Sequence, residues 1–314
     1  MSKRRRPFHL PPSTFDFSTY RCSERAFDFP TFDLRLSDLR PSTFDLRPST
    51  FRLPSPACSA CRLGIGHPPP PWHDAGVKTN TDLTIRRSDE RGHANHGWLY
   101  SHFTFSFADY YDPAHMGFRS LRVINDDRIA PRGGFPTHPH RDMEIFSYVL
   151  EGQLAHQDSM GNSRVLKPGQ IQLMSAGSGV THSEFNPVGE TTHMLQIWIQ
   201  PRQRGLPPRY TEWTPSPEQE TAPKVLVISP DGRDGSATIA QDADIYRIKL
   251  QPGESITHLL APGRGLWLHL VRGHAELNGE GINPGDAASS ERPGGFSLNA
   301  TTESVEALLF DLGA

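Results

Sequence analysis

The residues best suited to chemistry in this chain stand in two short pairs. Gly133-Gly134-Phe135-Pro136-Thr137-His138-Pro139-His140 supplies the first, and Thr181-His182-Ser183-Glu184 the second. On an extended strand, side chains two apart share a face, so His138 and His140 are neighbouring donors, as are His182 and Glu184. Two such pairs can close on one metal ion. Three neutral imidazoles and one carboxylate are borderline nitrogen and oxygen donors. They suit iron, manganese, nickel, copper or zinc better than magnesium or calcium. Glycines beside each pair allow sharp turns and close backbone approach.

The elements that must position these pairs read as short strands. Leu83–Arg86, Leu121–Ile124, Ile145–Leu150, Val165–Leu166, Ile171–Met174 and Met194–Ile199 are the strand candidates of the first half. Asn125-Asp126-Asp127, Glu151-Gly152, Met160-Gly161-Asn162 and Pro168-Gly169 carry turn chemistry between them. Many short strands at close spacing predict an antiparallel barrel or sandwich, whose mouth can hold a metal and a small ligand in one cavity. Pro201–Pro217 is rich in proline and arginine, lacks strand pattern, and reads as a linker.

A second series of strands follows, through Lys224–Ile228, Ala243–Leu250, Gly265–Val271 and Val305–Phe310. Leu250–His258 stands where Pro131–His140 stood, but Leu260 takes the place of the second histidine, and Arg272-Gly273-His274 does not restore the pair. The second half is therefore expected to be a barrel without a metal site, with His258, His269 and His274 as core or surface residues. The expected division is a tail over 1–76, a metal-binding domain over 77–205, a linker over 206–222 and a second barrel over 223–314.

Composition is uneven along the 314 residues. Residues 1–76 hold all three cysteines, twelve of the 29 prolines, and eleven Lys or Arg against seven Asp or Glu, a balance of +4. The whole chain is −3, which leaves −7 for the remainder. An acidic folded part with no basic stripe gives no electrostatic reason to expect direct contact with nucleic acid. With no cysteine after residue 76, no disulfide framework holds the fold, and a reducing cytoplasm is the expected compartment. No run is apolar enough to span a bilayer.

Residues 1–76 read as a disordered tail. Met1–Arg6 is followed by no apolar stretch, so it is not a secretory signal. Arg40-Pro41-Ser42-Thr43-Phe44-Asp45-Leu46 recurs at once as Arg47-Pro48-Ser49-Thr50-Phe51-Arg52-Leu53, and a proline in every copy forbids a stable helix. Cys58-Ser59-Ala60-Cys61 has the spacing of half a zinc site but lacks a second pair. Pro68–Pro71 form a stiff, extended joint. A genuine tail is one reading of this segment; the other is an upstream tandem repeat, with translation beginning near Val77.

The motifs together resemble the pirin family of the cupin superfamily, and within it the bacterial quercetin 2,3-dioxygenase-like members. The resemblance rests on Arg91–Trp98, Phe105-Ser106-Phe107, Arg122–Asp127, Thr137–His140, His156-Gln157-Asp158-Ser159, Met174–Gly177 and Thr181–Glu184, and spans about Leu83 to Leu312. It implies an all-β bicupin, two antiparallel β-barrel (jelly-roll) domains with metal only in the first. His138, His140, His182 and Glu184 match the four family ligands. Glu144 stands where other cupins place their ligand carboxylate, and is held as an acid behind the ligands or an alternative ligand. The gap from Gly169 to His182 is longer than the general cupin spacing, so that hairpin is expected to be locally distinct.

The implied cofactor is one divalent transition metal, Fe(II) foremost, with Mn, Ni, Cu or Zn as alternatives. The implied activity is oxygenation of a flavonol such as quercetin by dioxygen with loss of carbon monoxide, with Glu184 as general base. Phe135, Met143, Phe146 and Met174 are candidate cavity-lining residues, although ordinary core packing is the simpler expectation for each. His93, His96, His156 and His193 are candidates for contact with substrate or with the ligands from behind, although a structural role is the simpler expectation for each. A second reading in another class is a metal-dependent sensor or transcription co-regulator that binds a partner protein, and a third is an isomerase or decarboxylase on the same fold. No nucleophile triad, phosphate loop or dinucleotide fingerprint is present.

Overall fold

The structure, a computed structural model, describes residues 82–314. The expected tail with its heptapeptide repeats, the Cys58/Cys61 pair, the start near Val77 and the boundary drawn there lie outside the described residues.

The described chain is almost wholly β. Its first half has a seven-stranded sheet whose central strands are Glu144–Glu151, Thr192–Ile199 and Leu121–Ile129, facing a four-stranded sheet in the order Gly134–His140, Val180–Phe185, Leu154–Asp158, Ser163–Leu166. The second half repeats the plan. Gly265–Arg272, Val305–Leu312 and Ala243–Leu250 are central in seven strands, and Ser255–Leu260, Gly294–Ala300, Ala275–Leu277 and Glu280–Ile282 make up four. In neither half do the two sheets close into a hydrogen-bonded barrel.

The large sheets of the two halves pack against each other. Phe146, Tyr148 and Ile197 of the first meet Val227, Trp267 and Phe310 of the second in one continuous apolar cluster. A sheet covered on both faces needs apolar residues at almost every position. This is why Glu144–Glu151, Ile171–Ser175 and Thr192–Ile199 stand out in the sequence as near-continuous apolar runs. The halves are also stitched in sequence, because Thr84–Arg86 pairs with Ala287–Ser289 in the sheet of the second half before the chain returns to the first.

Two expectations are corrected. Asn125-Asp126-Asp127 is not a turn but the middle of the strand Leu121–Ile129. Its two carboxylates are buried against partners: His193 Nε2 lies 2.7 Å from Asp126, and the Ser101 hydroxyl donates to Asp127. Paired carboxylates are tolerated inside a sheet where unpaired ones are not. The stretch 201–217, expected to lack strand, contains Arg209–Trp213, which pairs antiparallel with Ile171–Ser175 at the sheet's edge. Edge strands tolerate charge and nearby proline, which hides them in a sequence. Phe146 shows the ordinary core packing that was the simpler expectation for it, in the shared cluster.

The hairpin between Gly169 and His182 carries a close approach of its own. Ser178 N donates to the Leu206 carbonyl at 2.8 Å, and a Cβ at Gly177 would lie 2.1 Å from that oxygen.

Candidate metal centre

The two sequence pairs lie on neighbouring strands. Gly134–His140 and Val180–Phe185 run antiparallel with His138 opposite His182 and His140 opposite Val180. A bulge between His182 and Glu184 then shifts the register and sets Phe135 opposite Glu184. Such a bulge re-aims side chains, and here Phe135 joins the interior beside Trp98, ring centroids 5.2 Å apart.

His138, His140 and His182 each bring one ring nitrogen within 4.8 Å of the other two. His182 is fully enclosed and His140 nearly so, whereas His138 is half-buried and marks the open side. The His138 Nδ1 atom lies 2.7 Å from the Pro136 carbonyl oxygen, so it carries the proton and donates, which leaves a lone pair on Nε2. That Nε2 atom is 3.1 Å from His182 Nε2. His140 Nε2 is buried without a hydrogen-bond partner. A buried acceptor left unpaired is costly, and a divalent cation accepting these lone pairs is the group that would satisfy it.

The electrostatics favour neutral, ligating imidazoles. Burial, then the neighbouring His182 and His138 rings, push His140 down to about 3. Burial, then His138 and His156, push His182 down to about 3 against an opposing pull from Asp158. Both rings therefore keep their lone pairs at neutral pH.

Glu184 is fully buried and reaches the centre through His182. Within 4.8 Å of one another lie donor atoms of His156, His182 and Glu184. Its carboxylate accepts from Ser147 Oγ at 2.9 Å, Gln172 Nε2 at 3.4 Å and Gln196 Nε2 at 3.5 Å. Burial raises its pKa, against the neighbouring His156 ring and the hydrogen bond from Ser147. The four expected residues are thus contiguous, with His182 shared between the imidazole triad and the carboxylate.

Glu144 is not among them. It sits on the opposite face of its sheet, where it accepts from Ser175 Oγ at 2.7 Å and from Ala240 N at 3.3 Å. His93 and His96 are exposed, and His193 serves Asp126. Met174 packs with Ile145, Ala176 and Val180, with Met143 against them, and Trp198 stands edge-on to His140 at 4.9 Å. This apolar group keeps one side of the centre dry.

Sequence reasoning missed the donors that hold Glu184 and favoured a structural role for His156 over contact with the ligands. The signal for the donors was present. Gln172 and Gln196 are single polar letters inside Ile171-Gln172-Leu173 and Leu195-Gln196-Ile197, and an isolated amide between apolar neighbours on a doubly covered strand must meet a partner.

The chain is similar to known proteins over both halves. Residues 84–199 match the family model described as Pirin, and residues 226–312 match the Quercetinase C-terminal cupin domain. The chain is 49% identical over 231 residues to a quercetin 2,3-dioxygenase of Escherichia coli, covering 73% of this chain and 98% of that protein. It is 40% identical over 225 residues to a pirin-like protein of Caulobacter vibrioides, covering 71% and 96%. Among solved structures, the bacterial pirin YhhW of Escherichia coli in complex with nickel(II) superposes with a TM-score of 0.70 at 47% identity, covering 74% of this chain and 99% of that one. With both halves matched and the relatives covered nearly end to end, the chain belongs to the pirin family.

Proposed function

We propose that this protein is a metal-dependent dioxygenase that cleaves flavonols such as quercetin, consuming dioxygen and releasing carbon monoxide, at a centre ligated by His138, His140, His182 and Glu184. The observation that carries the reading is the convergence of three imidazole nitrogens on one point, with the buried His140 Nε2 unpartnered. The names of the relatives supply the substrate class. Fe(II) is the proposed metal, with Mn, Ni, Cu or Zn as alternatives. The cytoplasm is the proposed compartment, on the absence of cysteine after residue 76. Among the described residues no helix is long and apolar enough to cross a membrane.

When bound, a divalent transition metal acidifies a phenolic hydroxyl and supports reaction of the resulting electron-rich ring with dioxygen. The chain's own residues do the rest. His140 and His182 present neutral nitrogens because burial keeps them unprotonated, and His138 presents Nε2 because its Nδ1–H donates to the Pro136 carbonyl. Burial makes Glu184 more basic than an exposed carboxylate, which suits it to take the proton of a substrate hydroxyl. Ser147, Gln172 and Gln196 fix that carboxylate in place. Trp198, Met174 and Met143 exclude water on one side.

The test is metal analysis of the full-length protein purified without oxygen, then oxygen uptake and carbon monoxide release on adding quercetin. His140→Ala and Glu184→Gln are run beside it. Turnover in the parent that disappears in both variants, with metal lost from the histidine variant, supports the reading. A protein that binds metal but turns over no flavonol with iron, manganese, nickel or copper overturns it in favour of a regulatory role.

A further inference from the structure

His156 touches the centre without belonging to the four proposed ligands, and its surroundings specify its hydrogens. Its side chain is wholly buried, with Nε2 3.3 Å from Asp158 Oδ2. Asp158 is fixed in turn by the backbone N–H groups of Met160 and Asn162 and by Asn162 Nδ2 at 2.8 Å. A carboxylate can only accept here, so His156 Nε2 carries the proton and Nδ1 is the acceptor. Gln172 agrees. The Tyr210 hydroxyl lies 3.4 Å from its Oε1, which leaves Nε2 as donor, 2.7 Å from His156 Nδ1 and 3.4 Å from Glu184 Oε1.

The same His156 Nδ1 lies 3.5 Å from His182 Nδ1. It is the hydrogen-bond partner of that atom among the described residues. A ring that gives Nε2 to a metal must place its Nδ1–H against an acceptor, and that acceptor sets its tautomer and angle. We propose that His156 is a positioning residue that holds the His182 ring with its Nε2 lone pair toward the metal: Asp158 fixes the His156 tautomer, and the one Nδ1 lone pair is shared between Gln172 Nε2 and the His182 Nδ1–H. The inference rests on the reading of His138, His140, His182 and Glu184 as ligands.

The second half supports it from within the chain. Strand register places Leu277 where His156 stands and Ala288 where Gln172 stands, beside Phe296 and Leu298 in place of His182 and Glu184. The relay is absent where the ligands are absent. The Leu277 arrangement also shows that this fold accommodates leucine at the position.

The test uses the full-length protein stripped of metal, loaded with Cu(II) for pulsed electron paramagnetic resonance, and titrated with Ni(II) against a competing chelator. The parent shows three coordinated imidazoles through their remote nitrogens. In His156→Leu three remain, but the quadrupole coupling of one changes because its N–H has lost its acceptor, and Ni(II) affinity falls about 10- to 100-fold. Gln172→Met, nearly isosteric, removes the competing donor, leaves the Nδ1 lone pair of His156 to His182, and shifts the coupling of the same nitrogen in the opposite sense to His156→Leu, which covers the case in which the leucine variant does not fold. A drop to two imidazoles in His156→Leu makes His156 a ligand and overturns the proposal. Unchanged coupling and affinity in Gln172→Met reduces the cluster to packing and also overturns it. Failure of the ligand reading itself is distinguishable, since then the parent binds no metal.

Discussion

Where the first half sets His182 opposite His138 across two paired strands, the second half sets Phe296 opposite His258. The substitution extends around the interior. Ser147, Gln172 and Gln196 lie in one row across the large sheet of the first half, and Leu268, Ala288 and Leu309 form the corresponding row of the second. The outcome is one continuous apolar core in the second half and two small apolar clusters on either side of a polar centre in the first. The backbone plan is indifferent to the site. What a polar interior requires is that every buried group has a partner, so the donors come and go with the ligands they serve.

His258 shows the same rule in reverse. It remains in the second half without its companions and is held instead by Asp311 at 2.9 Å and Lys224 at 2.8 Å. Burial pushes the Asp311 carboxyl up, but hydrogen bonds from His258 and Arg264 outweigh it and leave the group below its ordinary value. A lone histidine in this fold thus stays buried as part of a charge cluster.

The sharpest way to break the comparison is to carry the second half's residue into the first. His182→Phe, copied from Phe296, is expected to abolish metal binding and flavonol turnover together; metal analysis of the purified variant checks it, and a full metal complement would contradict the assignment. Next in size is the opposite cut. Phe296→Ala in the filled core is expected to cost about 3 to 5 kcal/mol in denaturant unfolding while leaving metal affinity unchanged.

A pH experiment separates the halves further. Burial, then the charge of Arg91, push His269 down to about 3, whereas an unfolded histidine titrates near about 6.5. The unfolded chain therefore binds the extra proton first. Stability from this residue is complete above the unfolded value and is lost as pH falls toward the folded one. Between about pH 7 and about pH 5 the loss is on the order of 2 kcal/mol. His269→Gln should remove that much of the pH dependence, read as the difference between parent and variant so that His140 and His182 cancel. The smallest effect is expected at the edge of the first half, where Arg164 and Glu212 pair 2.7 Å apart, both exposed. Arg164→Ala should change stability by no more than about 1 kcal/mol, and less at high salt.

Several of these elements were legible in the sequence. The central strands were, because a sheet buried on both faces leaves runs such as Glu144–Glu151 with little else to be. Asn125–Asp127 was misread because its polar letters match turn chemistry, and only the partners Ser101 and His193, far away in sequence, make that strand possible. Arg209–Trp213 was hidden by the prolines and arginines around it, which an edge strand tolerates.

The ligand pairs were visible for a local reason: alternation along a strand puts residues two apart on one face whatever the rest of the chain does. The sequence by itself thus determined the all-β character, the two repeated halves, the loss of the second histidine at Leu260, and the candidates His138, His140, His182 and Glu184. Which face a strand turns inward and which strands meet across an interior are not local properties. Only the tertiary structure placed Glu144 on the far side of its sheet, surrounded Glu184 with Ser147, Gln172 and Gln196, and brought His156 against His182. Those contacts join residues up to 37 positions apart, and their geometry exists only once both sheets have packed.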